Sequence, residues 1–269
     1  MSVPPLTIAN PRGYTFVGWS LTSGGTKNFS AGQSVSNLTA TNGGTVTLYP
    51  VWQANAYTVK YNANGGSGSM SSTTHTYDVA MNLRTNGFSR SGYIFMGWST
   101  SSGASNPSYG NGASVKNLTA TANGTVNLYA IWLDRQYYYY NSGVEKKVVD
   151  GDENNVELYY HMSSQVDISK LKQYGCTKAT ITISFTVNEI KDGYQHVNIR
   201  DTNGNSLCPD GHELKFNAGG VGTGSSSHSY TYNVSIDQLA ATTRISLRAT
   251  GAGEDDWEFK NLKIIIDFK

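Results

Sequence analysis

The sequence predicts a mainly β chain: two small tandem β modules followed by a jelly-roll β-sandwich. Three observations predict it. First, residues 13–52 recur at 92–132, with GYTFVGWS returning as GYIFMGWS, SVSNLTAT as SVKNLTAT, and GGTVTLYPVW as NGTVNLYAIW. Second, apolar and polar residues alternate with the period of two that a strand imposes. Third, the charge alphabet changes near Leu133. Up to Trp132 one acid, Asp78, stands against six bases (Arg12, Lys27, Lys60, Arg84, Arg90, Lys116), a net +5; from Leu133 onward eighteen acids and fourteen bases give −4. Two alphabets mark two kinds of domain, with the border at 133–136. The expected organisation is a partial repeat at 1–54, a complete repeat at 55–133 and a sandwich at 134–269.

Tandem copies form arrays in which each small unit leans on its neighbour, and such arrays space, display or adhere. That lowers the expectation of catalysis before any residue is weighed. Bulk properties exclude little else. A net charge of +1 gives no reason to expect nucleic acid or an acidic membrane as partner. No apolar run reaches the ~18 residues that a bilayer-spanning helix needs. The start, MSVPPLTIANPRGY, lacks the basic-then-apolar layout of a secretion signal, so the chain reads as a fragment whose signal and anchor stand elsewhere. Two cysteines, Cys176 and Cys208, exclude a disulfide scaffold. They either pair or, the favoured reading, stay as inert buried thiols.

In the complete repeat, YTVKYNANGG (57–66) alternates Tyr57, Val59 and Tyr61 against Thr58, Lys60 and Asn62, then meets Asn64-Gly65, expected as a hairpin tip. GYIFMGW (92–98) is the next strand, with Tyr93 and Phe95 facing one way, Ile94, Met96 and Trp98 the other, and Gly97 allowing a bulge. GASVKNLTATANG (112–124) is expected to make one short helical turn, and GTVNLYAIW (124–132) a third strand. Trp19, Trp52, Trp98 and Trp132 invite a sugar-stacking reading. Their places inside apolar strand patterns favour the core, because large aromatics supply most of the burial open to a small domain.

The run NANGGSGSM, then Asn82-Leu83, Phe88-Ser89-Arg90, GYIFMGWST, YGNGASV, NLTA and LYAIW resembles the Listeria–Bacteroides repeat, the internalin-B-type B repeat of bacterial surface proteins. The match covers residues 56–132. The resemblance implies two tandem β-grasp-like modules, strung on secreted or wall-attached proteins for spacing and adhesion. The earlier copy departs from the pattern: it starts near Leu6 and has no YTVKYNANGG segment, so it is N-terminally incomplete, either because the fragment starts inside a repeat, in which case its sheet should expose an edge, or because the unit is degenerate.

In the sandwich, strands are expected near 136–141, 144–149, 156–162, 178–188, 194–201, 228–236, 243–250 and 257–268, with a short helix at 168–174 capped by Asp167 and ended by Gly175. Eight strands with long β-branched stretches suggest a jelly roll. Alternation sends Ile181, Ile183, Phe185 and Val187 inward, as well as Val197, Ile199, Ile245 and Leu247. The outward set is unusual: Tyr159 and His161; Tyr194, His196, Asn198 and Arg200; Arg244 and Arg248. Sugars are held by an aromatic plane plus fixed donors and acceptors, which these side chains supply from rigid strands. They are the candidate glycan site; an ordinary exterior or a packing face is the competing reading. The resemblance to jelly-roll and galactose-binding-like carbohydrate-binding modules is one of fold only, and no residue is carried over.

Asp150 and Asp152 in one loop, and Asp255 and Asp256 in another, have the carboxylate density of a Ca²⁺ site, although acidic turns also occur without metal. Four consecutive tyrosines, Tyr137 to Tyr140, should split into two core and two exposed residues. No zinc helix, nucleophile elbow or phosphate loop is written, and the chain is read as no enzyme. The expected partners are a glycan or another cell-surface protein. A purely structural stalk and an accessory part of a glycoside hydrolase are the alternatives.

Overall fold

The computed structural model describes residues 1–148, 156–161, 166–188, 194–200, 214–217, 225–239, 244–250 and 257–269. The chain divides into two compact units: Met1–Ser91 with Phe95–Trp132, and Gly92–Ile94 with Leu133–Lys269.

In the first unit, the earlier repeat contributes β1 (Tyr14–Ser20) and β2 (Tyr49–Ala54), paired antiparallel. The later repeat contributes β3 (Ala56–Asn62), β4 (Thr73–Thr76), β5 (Met81–Asn82), β6 (Tyr93–Ser99), β7 (Ser114–Val115) and β8 (Thr125–Asp134). Its main sheet has the order β4-β3-β8-β6, and β5 pairs separately with β7. The central pair is parallel, with Thr58 opposite Thr125 and Asn62 opposite Tyr129. First and last strands side by side at the centre is the β-grasp order. A parallel pair needs a long crossover, and residues 63–124 supply it.

Alternation in β3 buries Tyr57, Val59 and Tyr61, which join Leu83, Phe88, Trp98, Val115, Leu128 and Ala130 in one core. Trp98 is fully buried. Three rings meet it edge-on: Phe95 at 4.9 Å, Tyr61 at 5.0 Å and Phe88 at 6.1 Å between centroids. Phe95 was expected on the opposite face from Trp98. It shares the face because the strand kinks at Gly97, where φ is +149°. A Cβ there would lie 2.4 Å from the Tyr109 carbonyl oxygen, the group that accepts from the Trp98 N–H at 2.7 Å. Gly18, at φ +148°, does the same in β1, at the register shift between Phe16 and Gly18.

Two local expectations need correction. Residues 112–124 form no helix; they hold β7 and a turn with Asn117 in the left-handed region at φ 59°. Asn64 and Gly65 do adopt positive φ, 48° and 87°, and the Gly66 N–H closes the turn on Ala63 O at 3.0 Å. β3 and β4 do form an antiparallel hairpin, with Val59 opposite Thr73, but Asn64 and Gly65 open its loop over 63–72, which bridges Ser67 to Ser89, and do not make a tight two-residue tip.

β4 carries a buried titratable group. His75 is fully buried, stacks on Tyr57 at 5.6 Å and places Nε2 3.0 Å from Thr73 Oγ1, while Nδ1 has no partner. Burial disfavours the imidazolium and lowers its pKa. The unfolded chain binds the proton at the ordinary value of about 6.5. Stability from neutral His75 is therefore complete above that value and is lost as pH falls through the lower folded pKa. The denaturation midpoint of the first unit is expected to drop between about pH 7.5 and about pH 5, and His75→Phe to flatten that slope.

The second unit has eight described strands: β9 (Gln136–Val148), β10 (Val156–His161), β11 (Lys178–Asn188), β12 (Tyr194–Arg200), β13 (Leu214–Asn217), β14 (Ser225–Ser235), β15 (Arg244–Thr250) and β16 (Trp257–Phe268). The sheets run β14-β11-β16-β9 and β10-β15-β12-β13, which is the jelly-roll order. The expected strands 136–141 and 144–149 are one strand. Asn141 pairs with Leu262 and Val144 with Lys260, so the Asn-Ser-Gly signal between them marks a bulge, with Asn261 opposite at φ 53°. β13 was not anticipated.

Helix α1 spans Ile168–Gln173, and Asp167 accepts the Lys170 N–H at 2.9 Å as its cap. It seats fully buried Leu171 on a core of Tyr137, Ile181, Ile183, Phe185, Ile264, Ile266 and Phe268. Cys176 is a free buried thiol, its pKa raised chiefly by burial; Cys208 lies outside the described residues. The side chains of Val187, Val197, Ile199, Ile245 and Leu247 also lie outside them.

Candidate functional site

Directly opposed residues in an antiparallel ladder share a face of the sheet. In the sheet β10-β15-β12-β13, Tyr159 stands opposite Ser246 and His161 opposite Arg244. Across β15 and β12, Arg244 stands opposite Arg200, Ser246 opposite Asn198, Arg248 opposite His196 and Thr250 opposite Tyr194. The eight candidate residues thus occupy one face of one sheet, in transverse rows about 4.8 Å apart along each row. β13 extends two rows with Lys215 beside His196 and Asn217 beside Tyr194. Sequence reasoning missed Lys215 and Asn217 because a four-residue strand carries too little alternation to be recognised. The acidic residues Asp150, Asp152, Asp255 and Asp256 lie outside the described residues. Among the described residues no group of three or more His, Cys, Asp and Glu is placed to hold a metal.

The other sheet presents a second set. Tyr137 is buried, whereas Tyr138 and Tyr140 are 57% and 53% exposed, as the alternation required. Lys263 Nζ lies 5.7 Å from the centre of the Tyr138 ring. Beyond them runs a band of side-chain hydrogen bonds: Thr180 Oγ1 donates to Asn233 Oδ1 at 2.9 Å, and the hydroxyls of Thr182 and Thr231, and of Thr186 and Ser227, meet at 3.3 Å each.

The tryptophans divide. Trp98 is core, while Trp19, Trp52 and Trp132 are half-buried. Phe16 meets Trp19 and Trp52 edge-on at 5.2 and 5.7 Å, and Trp132 donates its indole N–H to Ala63 O at 2.8 Å.

The two repeats join around Asn55 and Asp78. Asn55 donates its backbone N–H to Gly13 O at 2.8 Å and accepts from Tyr77 N at 2.9 Å. Its side chain accepts from Thr15 Oγ1 at 2.6 Å and donates to Ala120 O at 2.7 Å. Both repeats are therefore held by one buried residue. Asp78 accepts from Tyr14 OH at 2.9 Å and from Asn117 Nδ2 at 2.8 Å, with Lys116 Nζ at 3.4 Å. The Asn117 and Tyr14 hydrogen bonds hold its carboxyl below the usual range, and the bond to Asp78 raises the Tyr14 phenol. The lone acid of the first 132 residues is thus placed at the joint. Gly13 has φ +83°, and a Cβ there would lie 2.3 Å from the Tyr77 ring, so only glycine lets that ring close on β1.

Residues 4–50 and 57–131 match the Listeria-Bacteroides repeat domain family. These segments are Listeria-Bacteroides repeats. Repeats of this family are modules of bacterial surface proteins. Comparison with curated protein sequences returns no match. Among solved structures, the T13 particle of infectious bursal disease virus is similar at 9% identity and a TM-score of 0.33, over 52% of this chain and 33% of that one. The enzymatically active domain of bacteriophage CBA120 tailspike protein 4 is similar at 9% identity and a TM-score of 0.29, over 50% and 19%. Tobacco streak virus coat protein is similar at 10% identity and a TM-score of 0.26, over 49% and 86%. The chain spans about a third or less of the first two proteins, and no function follows from likenesses this distant. Among the described residues, no helix is long and apolar enough to cross a membrane.

Proposed function

We propose that the chain is part of a secreted or wall-attached bacterial protein in which Listeria-Bacteroides repeats act as spacer and adhesion modules, presenting a non-catalytic sandwich that binds glycan. The observation that carries the glycan reading is the ladder register, which lines up Tyr159, His161, Tyr194, His196, Asn198, Arg200, Arg244 and Arg248 on one face. Tyrosine rings for a sugar's C–H face and Arg, His and Asn for its hydroxyls are the required chemistry. Held on strands, they lose little freedom on binding.

The full chain on a glycan panel tests it. A retained glycan should be held about 10-fold less well by Arg200→Ala or Tyr194→Ala, the cost of one charge-assisted hydrogen bond or one stacking plane, with the thermal midpoint unchanged. Unchanged retention in both variants removes this face. The exposure of Tyr138 and Tyr140 favours a second reading, in which the sugar lies on the opposite sheet. Loss of retention in Tyr138→Ala and Tyr140→Ala alone would select it. No retention on any glycan leaves a structural or protein-binding stalk, and turnover of a glycan points to a hydrolase accessory. A calcium chelator that lowers retention would assign a metal to the Asp150, Asp152, Asp255 and Asp256 loops.

A further inference from the structure

The sheet face that carries the candidate glycan residues is charged in a way the rest of its unit is not. From Leu133 onward acids outnumber bases, eighteen to fourteen. Four of those bases, Arg200, Arg244, Arg248 and Lys215, stand on this one face, with His161 and His196 among them. Within the described strands of the sheet the only acid on the face is Glu157. The opposite face, which runs through Leu158, Val197, Ile199, Ile245 and Leu247, holds no charged residue in those strands.

The ladder register sorts these charges into rows. Glu157 stands opposite Arg248, and His196 and Lys215 continue that row, so it contains its own counter-charge. The row of His161, Arg244 and Arg200 has no acid among the described residues; Arg244 has His161 opposite on one side and Arg200 opposite on the other. Like charges directly opposite one another destabilise a sheet, and a guanidinium group is always charged. Such a row costs stability when empty and gains it when an oxyanion arrives, because the guanidinium fork takes two oxygens at once. The next row on the same face, about 6.8 Å along the strands, is Tyr159, Ser246 and Asn198. One sugar ring and an acidic group attached to it span that step.

We propose, resting on the glycan reading of this face, that its ligand is an acidic glycan. A carboxylate or sulfate group sits at the row of His161, Arg244 and Arg200, and the sugar ring that bears it lies at the row of Tyr159, Ser246 and Asn198. The arginines recognise the charge, and the tyrosine, serine and asparagine recognise the sugar. A neutral glycan leaves Arg244 and Arg200 facing each other without a counter-charge, and is held less well.

The test places the full 269-residue chain on a panel that pairs each acidic glycan with its neutral form, uronic-acid oligosaccharides with their carboxyl-reduced versions and sulfated ones with their desulfated versions. Salt is held at about 150 mM, where loose surface attraction is screened. An acidic member should bind at least ~10-fold more tightly than its neutral partner, and the pair that shows the preference tells carboxylate from sulfate. Arg244→Gln and Arg200→Gln should each erase most of that preference without lowering the thermal midpoint. Lys178→Gln, which removes an equal charge from β11 in the other sheet, should keep it. Equal binding of acidic and neutral partners overturns the acidic assignment and leaves the glycan site standing, whereas no binding across the panel overturns both. A preference that survives both arginine substitutions, or polyglutamate bound as tightly as the acidic glycan, also overturns the proposal. So does a fall in the midpoint of the arginine variants, which would make the row a structural ion pair.

Discussion

Trp98→Ala is expected to unfold the later Listeria-Bacteroides repeat at ambient temperature while the second unit stays folded. Trp98 is fully buried and touches Tyr61, Phe88 and Phe95 edge-on. Replacing a buried Trp by Ala costs about 3–5 kcal/mol, through lost transfer energy and the cavity that remains. A domain of roughly 80 residues has about 5 kcal/mol in all to lose. Trp19→Ala, at the half-buried counterpart, should cost less than half as much. Urea denaturation with circular dichroism checks both. Equal losses at the two positions would mean that the difference in burial between Trp98 and Trp19 does not set the cost.

The second large effect is expected from Asn55→Ala, which should uncouple the two repeats without unfolding either. The substitution leaves both backbone bonds of residue 55, to Gly13 and from Tyr77. It removes the two side-chain bonds, one to Thr15 and one to Ala120. Stranding partly buried donors and acceptors costs about 1 kcal/mol each or more, so a total of about 2–3 kcal/mol is expected. The earlier repeat should then become a protease target, with cuts near residues 1–54. Thr15→Ala combined with Asn55→Ala should cost less than the two separately, because they share a bond. Strict additivity would show that the Thr15–Asn55 contact holds nothing together. The second unit contains a related arrangement: Arg135 donates its N–H to Gly92 O at 2.9 Å and accepts from Phe268 N at 3.0 Å. Asn55 and Arg135 share this backbone arrangement, and Asn55 adds the side-chain bonds to Thr15 and Ala120.

Neither Asn55 nor Asp78 was singled out from sequence as a joint. Asp78 stood out only as the one acid among 132 residues, a compositional oddity without a position. Its partners lie 39 and 64 positions away, beyond any local pattern. Tyr138 and Tyr140 were the opposite case: simple alternation placed them outside and Tyr137 inside, and the described exposures agree. The eight candidate glycan residues fall between. Alternation put each on a strand face, but only the ladder register put all eight on the same face of the same sheet.

By itself the sequence determined that strands exist and roughly where, how they alternate, where α1 begins and ends, and that one module is written twice. These depend on interactions within a few residues: side-chain periodicity, a capping Asp167, glycines that tolerate positive φ. The tertiary structure decided the rest. It made one bulged β9 out of two expected strands, turned Phe95 onto the face of Trp98 through the kink at Gly97, and set β3 parallel to β8. Each outcome is a choice of pairing between distant segments. Backbone hydrogen bonds are satisfied by whichever strand arrives, so no stretch of sequence read alone contains the answer.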